Sequence, residues 1–167
     1  MRRFIASIVG LVAIASTAQA APNSGGQEAQ LGLYVGDFSA LRDSKHEAVT
    51  GGAEYRFRDV YHGVRPTVGA FAAGGGEVYT YAGINWDLPL NTAPIYLTPG
   101  FDVGYYHSNN EKRLGYAMEF RSTMEVAYQF QNHQRVGVAI SHLSNAGLGN
   151  KNPGTETVQA VYVAPLW

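Results

Sequence analysis

Apolar and polar residues alternate along most of this chain with a period of two, which is the pattern of half-buried β-strands. Eight segments show it, and their first apolar residues are Leu31, Val49, Val64, Val78, Ile95, Tyr116, Val136 and Val158. The segments are about ten residues long, are joined by short connections and carry no helical periodicity. The pattern therefore predicts an all-β protein, an eight-stranded antiparallel transmembrane β-barrel.

The charged residues of these segments fall on one side of the alternation, opposite the apolar side. They are Glu54, Arg56, Arg65, Asp87, Asp102, Glu119, Arg121 and Glu125. A soluble barrel of the lipocalin type buries its apolar face, whereas a narrow transmembrane barrel packs charges of both signs in its lumen. We predict the second arrangement, with the carboxylates paired to the arginines as structural partners and the apolar face turned to lipid.

Aromatic residues and connection lengths suggest which end is which. Tyr105 and Tyr116 flank one hairpin loop, while Phe57, Trp86 and Tyr128 lie near the opposite strand ends, as two interfacial girdles would. With both termini in the periplasm, the longer loops at 39–47, 107–114 and 145–155 are extracellular and the turns at 59–63 and 131–134 are periplasmic. The short 73–76 connection is an exception, and its glycines predict a tight hairpin. The absence of a following Lys-Ser/Thr argues against a phosphate-binding loop.

The N-terminus indicates export. Arg2 and Arg3 precede an apolar run from Phe4 to about Ala15, and Ala18-Gln19-Ala20 fits a signal peptidase site. We therefore assign residues 1–20 to a signal peptide and residues 21–167 to one outer-membrane β-barrel domain. No later stretch reaches the roughly 18 apolar residues that a spanning helix needs.

Composition excludes several kinds of function. The chain has no cysteine, which rules out thiol catalysis, disulfides and cysteine-ligated metals. Its net charge is −1 and no basic block stands out, which argues against a nucleic-acid partner.

The candidate chemistry lies at the end of the chain. His142 and Ser144 are two residues apart in the seventh strand, hence on one face, and they share the parity of the lipid-facing Val138 and Ile140. If the following hairpin closes symmetrically, Glu156 lies opposite Ser144 and diagonal to His142, about 5 to 8 Å away between Cβ atoms. A serine, a histidine and a carboxylate on one face are the parts of a nucleophilic hydrolase.

Each of these residues alone is most simply an interfacial polar side chain, and only their shared face and spacing favour catalysis. The remaining histidines have no partner at ligand spacing, and we interpret them as solvated loop or turn residues. They are His46, His62, His107 and His133.

Two stretches, SHLSNAGLG at 141–149 and KNPGTE at 151–156, closely resemble the C-terminal signature of the lipid A 3-O-deacylase (PagL) family of outer-membrane enzymes. The rest of the chain resembles the family in length and pattern. The resemblance implies hydrolysis of the ester-linked 3-hydroxyacyl chain of lipid A by a triad of Ser144, His142 and Glu156. It also implies oxyanion donors at the Asn145 side chain and the Gly147 N–H.

The expected partners are lipid A or lipopolysaccharide as substrate and outer-membrane lipid around the barrel, with the active site toward the outer leaflet. The scheme needs no cofactor and no metal, and a homodimer is left open. Two alternatives stay open: a non-enzymatic small barrel, as an adhesin or structural protein, and an outer-membrane phospholipase. Trp167 fits the aromatic C-terminus of this class but has the parity of the lumen face, and a bulge or break at Pro165 would reconcile the two.

Overall fold

The computed structural model describes residues 28–38, 48–90, 92–108 and 112–166. The predicted signal peptide, the loop at 39–47 with His46, and Trp167 lie outside the described residues. No helix in the part of the chain that the structure describes is long and apolar enough to cross a membrane.

The described residues form nine β-strands that close into one antiparallel barrel. The strands are β1 (Ala29–Phe38), β2 (Ala48–Arg56), β3 (Val64–Ala73), β4 (Val78–Trp86), β5 (Leu88–Leu90), β6 (Ile95–His107), β7 (Met118–Gln129), β8 (Arg135–Ser144) and β9 (Thr155–Leu166). They follow the order β4-β3-β2-β1-β9-β8-β7-β6-β5, and pairing of β4 with β6 closes the ring. β4 and β5 both pair with β6, on either side of Asp87, so together they count as one interrupted strand of the barrel. The predicted eight-stranded barrel is confirmed.

The apolar side of the alternation faces outward, as predicted. Exposed apolar residues include Leu33, Val35, Val68, Ile84, Phe101, Val103, Met124, Val126, Val138 and Ile140. The aromatic residues assigned to the girdles, Tyr105, Tyr116, Phe57, Trp86 and Tyr128, are exposed as well. In an outer-membrane barrel this surface lies against hydrocarbon and the two interfaces.

The charged side lines the lumen, where the predicted ion pairs form. Arg56 contacts Glu54 at 2.9 Å and Glu125 at 2.6 Å, and Arg121 contacts Glu54 at 3.1 Å and Asp102 at 2.7 Å. Near the other end, Arg65 and Arg135 each lie 3.0 Å from Asp87. These charges are almost fully buried, so their pairing offsets the cost of removing them from water.

One lumen carboxylate differs from this prediction. Glu119 is fully buried, yet neither of its side-chain oxygens accepts a hydrogen bond. It lies toward the end of the lumen that is filled by apolar and aromatic side chains rather than by arginines. Those side chains are Phe38, Phe71, Ala73, Tyr79, Tyr81, Tyr106, Leu114 and Leu143.

The two ends of the barrel differ in their connections. We call "loop end" the end that carries residues 74–77, 112–117 and 145–154, and "turn end" the end that carries residues 57–63 and 130–134. His62 and His133 adopt positive φ at the turn end, which fits their assignment to turns. The structure has no bulge or break at Pro165, because β9 pairs with β1 without interruption through Pro165 and Leu166.

Candidate active site

The three side chains proposed from sequence share the outer wall of the barrel at the loop end, and two of them, His142 and Glu156, are in contact. His142 and Ser144 lie among the last three residues of β8, at its loop end, and Glu156 is the second residue of β9. The imidazole is 45% exposed, Ser144 is half-buried and Glu156 is buried. Their parity matches Val138 and Ile140, which are both exposed on the lipid-facing side.

His142 and Glu156 are in contact. The imidazole Nδ1 lies 3.2 Å from Glu156 Oε1, within hydrogen-bond distance. The contact arises because His142 and Glu156 are direct cross-strand partners in the β8–β9 ladder. The expectation that Glu156 would lie opposite Ser144 is therefore wrong by two residues. The register is displaced by two residues from the expected one, and this displacement brings the carboxylate closer to the imidazole than expected.

The rest of the imidazole ring lies against Gly154. A Cβ atom added at Gly154 would be 3.0 Å from His142 Cε1 and 3.5 Å from Nε2. The last pair of the β8–β9 ladder is Leu143 with Thr155. Gly154 immediately precedes Thr155 and Ser144 immediately follows Leu143, so Gly154 lies across from Ser144. The Nε2 edge of the ring is thus directed toward the end of the strand that carries Ser144. No hydrogen bond joins His142 to Ser144 among the residues described.

Two other serines near the site differ from Ser144 in position. Ser141 faces the lumen, is 2% exposed and shares a 2.9 Å hydrogen bond with Thr123. Ser122 is exposed on the outer wall and is the β7 partner of His142, but it lies on the side opposite Glu156. The imidazole contacts Glu156 on β9 through Nδ1, and its Nε2 edge lies beside Gly154, across from Ser144. Of the three serines, Ser144 is therefore the best placed to give its hydroxyl proton to Nε2.

Asn145, predicted as an oxyanion donor, is fully buried and connects the loops around the site. Its Nδ2 donates to the carbonyls of Leu114 at 2.9 Å and Lys151 at 2.8 Å. Its Oδ1 accepts from the Gly147 N–H at 2.9 Å. Both predicted donors are thus already engaged in hydrogen bonds, and to bind an oxyanion directly each would have to exchange its present acceptor.

The turn after the nucleophile candidate is tight. Leu148 N–H donates to Asn145 O at 3.0 Å, and both central residues, Ala146 and Gly147, have positive φ, as in a type I′ turn. Gly115 allows the neighbouring loop to approach, because a Cβ there would lie 2.2 Å from Lys151 O. Two loops are therefore packed against each other beside Ser144.

Sequence reasoning missed Asn152. Its Oδ1 accepts from the Asn145 N–H at 3.0 Å, which holds its amide beside the residue that follows Ser144. The Asn152 side chain is exposed, and its NH₂ group makes no hydrogen bond to the described residues. An asparagine in a loop rich in glycine and proline carries no periodic signal, so its position could not be recognised from the sequence.

The other histidines are remote from this site. His62, His107 and His133 lie in or beside turns and loops, and His62 and His107 are exposed. Over the described ranges, no group of three or more histidine, aspartate or glutamate side chains is arranged to hold a metal ion.

Comparison with known proteins identifies the family. The family model described as lipid A 3-O-deacylase (PagL) matches residues 44–165, which include the barrel from β2 onward and the whole candidate site. The chain belongs to the lipid A 3-O-deacylase family. It is therefore an ester hydrolase by family.

Relatives and solved structures agree with this assignment. A lipid A deacylase PagL of Bordetella bronchiseptica is 28% identical over 93% of this chain and 91% of its own length. Another from Pseudomonas aeruginosa is 29% identical over 53% of this chain and 49% of its own length.

The crystal structure of the outer-membrane enzyme PagL has a TM-score of 0.64 at 20% identity and covers 82% of this chain and 99% of its own. Neisserial surface protein A has a TM-score of 0.54 at 12% identity, covering 83% of this chain and 96% of its own. At these identities the likeness shows the fold alone. Family and barrel together place the protein in the bacterial outer membrane.

Proposed function

We propose that this protein removes the ester-linked 3-hydroxyacyl chain at the 3 position of lipid A, with Ser144 as nucleophile, His142 as base and Glu156 as the residue that orients the imidazole. The observation that carries the proposal is the 3.2 Å contact between His142 Nδ1 and Glu156 Oε1 on the outer wall of the barrel. A histidine and a carboxylate on a wall that faces lipid cost free energy, so such a pair favours a functional role over an incidental one.

The proposed reaction follows the serine hydrolase scheme. Ser144 Oγ attacks the ester carbonyl carbon while His142 Nε2 accepts the hydroxyl proton, and Glu156 stabilises the resulting imidazolium through Nδ1. The tetrahedral intermediate collapses by breaking the bond to the sugar oxygen, which takes the proton from His142. Water, deprotonated by His142, then attacks the acyl-serine ester and releases a 3-hydroxy fatty acid.

The oxyanion is proposed to bind at the Asn145–Leu148 turn. Asn145 and Gly147 are the donors that the family resemblance implies, and for them binding requires that an N–H exchange its present acceptor for the substrate oxygen. Asn152 needs no such exchange, since its NH₂ group is uncommitted beside the nucleophile. We therefore include Asn152 as a third donor candidate, and removal of one oxyanion donor typically lowers kcat by about 10² to 10³.

The surroundings of Ser144 fit an acyl-chain substrate that arrives from the membrane. Phe120 on β7 is the cross-strand partner of Ser144, and its ring lies 6.1 Å from that of Phe101, centroid to centroid. Met118 at the start of β7 is exposed on the same wall. An acyl chain beside Ser144 would contact these apolar side chains. We propose that the loop end faces outward, because the longer connections of such barrels are extracellular, and this places the site toward the outer leaflet.

All groups in this mechanism come from one chain, so the proposal gives no role to a homodimer. The scheme also involves no cofactor and no metal.

Purified protein incubated with lipopolysaccharide in detergent tests the proposal, with mass spectrometry of the released fatty acid and of the remaining lipid A. Wild type should release a 3-hydroxy fatty acid, and Ser144→Ala should release none above background. Ser122→Ala is the matched control, since it removes an exposed serine hydroxyl that also neighbours His142, and it should remain active.

Parallel incubation with glycerophospholipid separates the alternatives. Lysophospholipid production with unchanged lipid A would identify a phospholipase instead. Failure of wild type to cleave either lipid would support a non-enzymatic barrel, and full activity of Ser144→Ala would exclude Ser144 as the nucleophile.

A further inference from the structure

A groove opens on the outer wall at the turn end, far along the barrel from the candidate active site. It has a volume of about 450 Å³ and is lined by Ala29, Tyr55, Phe57, Arg58, Val60 and Pro66. That volume is in the range of small-molecule sites, which is about 300 to 1,000 Å³. Nothing in the deacylation mechanism uses this groove.

The groove arises from small residues beside aromatic ones across three strands. Phe57 directly follows β2, and its N–H donates to Pro66 O on β3 at 2.9 Å. The Tyr55 and Phe57 rings meet edge to face with centroids 4.8 Å apart and form one wall. Ala29 and Pro66 lack long side chains, so the surface beside these rings is recessed and apolar.

Arg58 supplies a positive charge at the edge of this recess. Its side chain is exposed and makes no hydrogen bond or ion pair with the described residues. The adjacent carboxylate of Asp59 forms no ion pair with Arg58 in the described structure; its Oδ2 accepts the Gly63 N–H at 2.6 Å within the turn. An apolar groove therefore ends at one unpaired guanidinium, a group that binds phosphate well.

We propose that this groove is a binding site for one glycerophospholipid of the periplasmic leaflet, with an acyl chain against Tyr55 and Phe57 and the phosphate on Arg58. The turn end of such a barrel faces the periplasm, where the inner leaflet of the outer membrane supplies this lipid. Charge complementarity selects the phosphate, and the apolar walls select the chain. The site is separate from the proposed catalytic triad and does not depend on it.

Native mass spectrometry of the full protein in detergent tests this proposal by counting bound lipids. The probes are phosphatidylglycerol, diacylglycerol with the same chains, and inorganic phosphate. An arginine beside a lipid phosphate is expected to give roughly five-fold tighter binding of phosphatidylglycerol than of diacylglycerol. Inorganic phosphate should not displace the lipid, because it cannot use the apolar groove.

Four variants separate the groove from general lipid adhesion. Arg58→Gln should lower phosphatidylglycerol binding to the diacylglycerol level, and Arg58→Lys should preserve most of it. Ala29→Phe should fill the recess and weaken binding of both lipids, with folding checked by the heat-dependent mobility of the barrel on gels. Arg113→Gln, at an exposed arginine of the loop end, is the matched control and should bind as wild type does.

The proposal is overturned if phosphatidylglycerol and diacylglycerol bind equally to wild type, or if Arg58→Gln binds as wild type does. Equal losses in Arg58→Gln and Arg113→Gln would also overturn it, as they would show nonspecific charge attraction. Displacement of the lipid by inorganic phosphate would make this an anion site only. Deacylase activity in detergent should be unchanged in Arg58→Gln, so a failure here is distinct from a failure of the catalytic proposal.

Discussion

Gly154 offers a sharp test of the proposed role of His142, because its backbone touches the imidazole without taking part in the chemistry. Substituting alanine places a methyl group 3.0 Å from His142 Cε1 and 3.2 Å from Leu143 O. At the first distance the ring must move by a few tenths of an ångström. The φ of +62° at Gly154 adds a second cost, since a left-handed conformation costs a residue with a Cβ roughly 1 to 2 kcal/mol.

The two effects have different consequences. Backbone strain lowers the free energy of unfolding by about 1 kcal/mol, while displacement of the imidazole lowers kcat. Since a misplacement of about 1 Å can cost 10²-fold, a smaller shift should reduce kcat by roughly ten-fold. KM should change little, because neither the acyl-chain contacts nor the oxyanion donors are altered.

The assay is the rate of fatty acid release from lipopolysaccharide micelles over a range of substrate concentrations. Gly76→Ala is the control for strain, because Gly76 also has a positive φ of 88° but lies in the β3–β4 connection. It should lose similar stability and keep its kcat. A folded Gly154→Ala protein with wild-type kcat would refute the placement of the imidazole in the reaction.

Three further predictions address the residues around the site and the lumen. Glu156→Gln should lower kcat by about 10⁴-fold, as loss of the orienting carboxylate does in serine hydrolases, and initial rates with lipopolysaccharide would measure it. Asn145→Ala removes hydrogen bonds to Leu114 O, Lys151 O and Gly147 N, so guanidinium unfolding should show a loss of about 2 to 3 kcal/mol together with lower activity. An Asn145→Ala protein as stable as wild type would contradict the conclusion that Asn145 holds these loops together. Arg121→Met leaves buried charges unpaired and should destabilise the barrel by about 3 to 5 kcal/mol, and adding Asp102→Leu should restore part of that loss. An Arg121→Met barrel that unfolds at the wild-type denaturant concentration would contradict the ion-pair argument.

The fold could be predicted from the sequence because alternation with period two leaves few choices. Glu54, Arg56 and Glu125 share one face, and in a membrane barrel such charges can be accommodated only in the lumen, where they pair. The opposite, apolar face must then point outward. Glu119 faces the lumen as predicted, but its carboxylate does not form the predicted ion pair. Facing depends on local parity, whereas pairing depends on which side chains from distant strands reach the same level of the lumen.

The candidate site shows the same division. The common face of His142, Ser144 and Glu156 follows from their parity along the strands. The prediction of that face was correct although the predicted register was wrong by two residues, because only an odd shift changes the face. The register itself depends on how the 145–154 loop closes. That closure rests on the buried Asn145 amide and the positive φ of Gly154, neither of which has a periodic signature.

The most direct test of the central claim is mass spectrometry of lipid A from cells that express the wild-type protein or Ser144→Ala at equal levels in the outer membrane. Wild type should convert lipid A to a species lighter by one 3-hydroxyacyl group at the 3 position, and Ser144→Ala should leave lipid A intact. Identical lipid A from both strains, whether deacylated or not, would contradict the account.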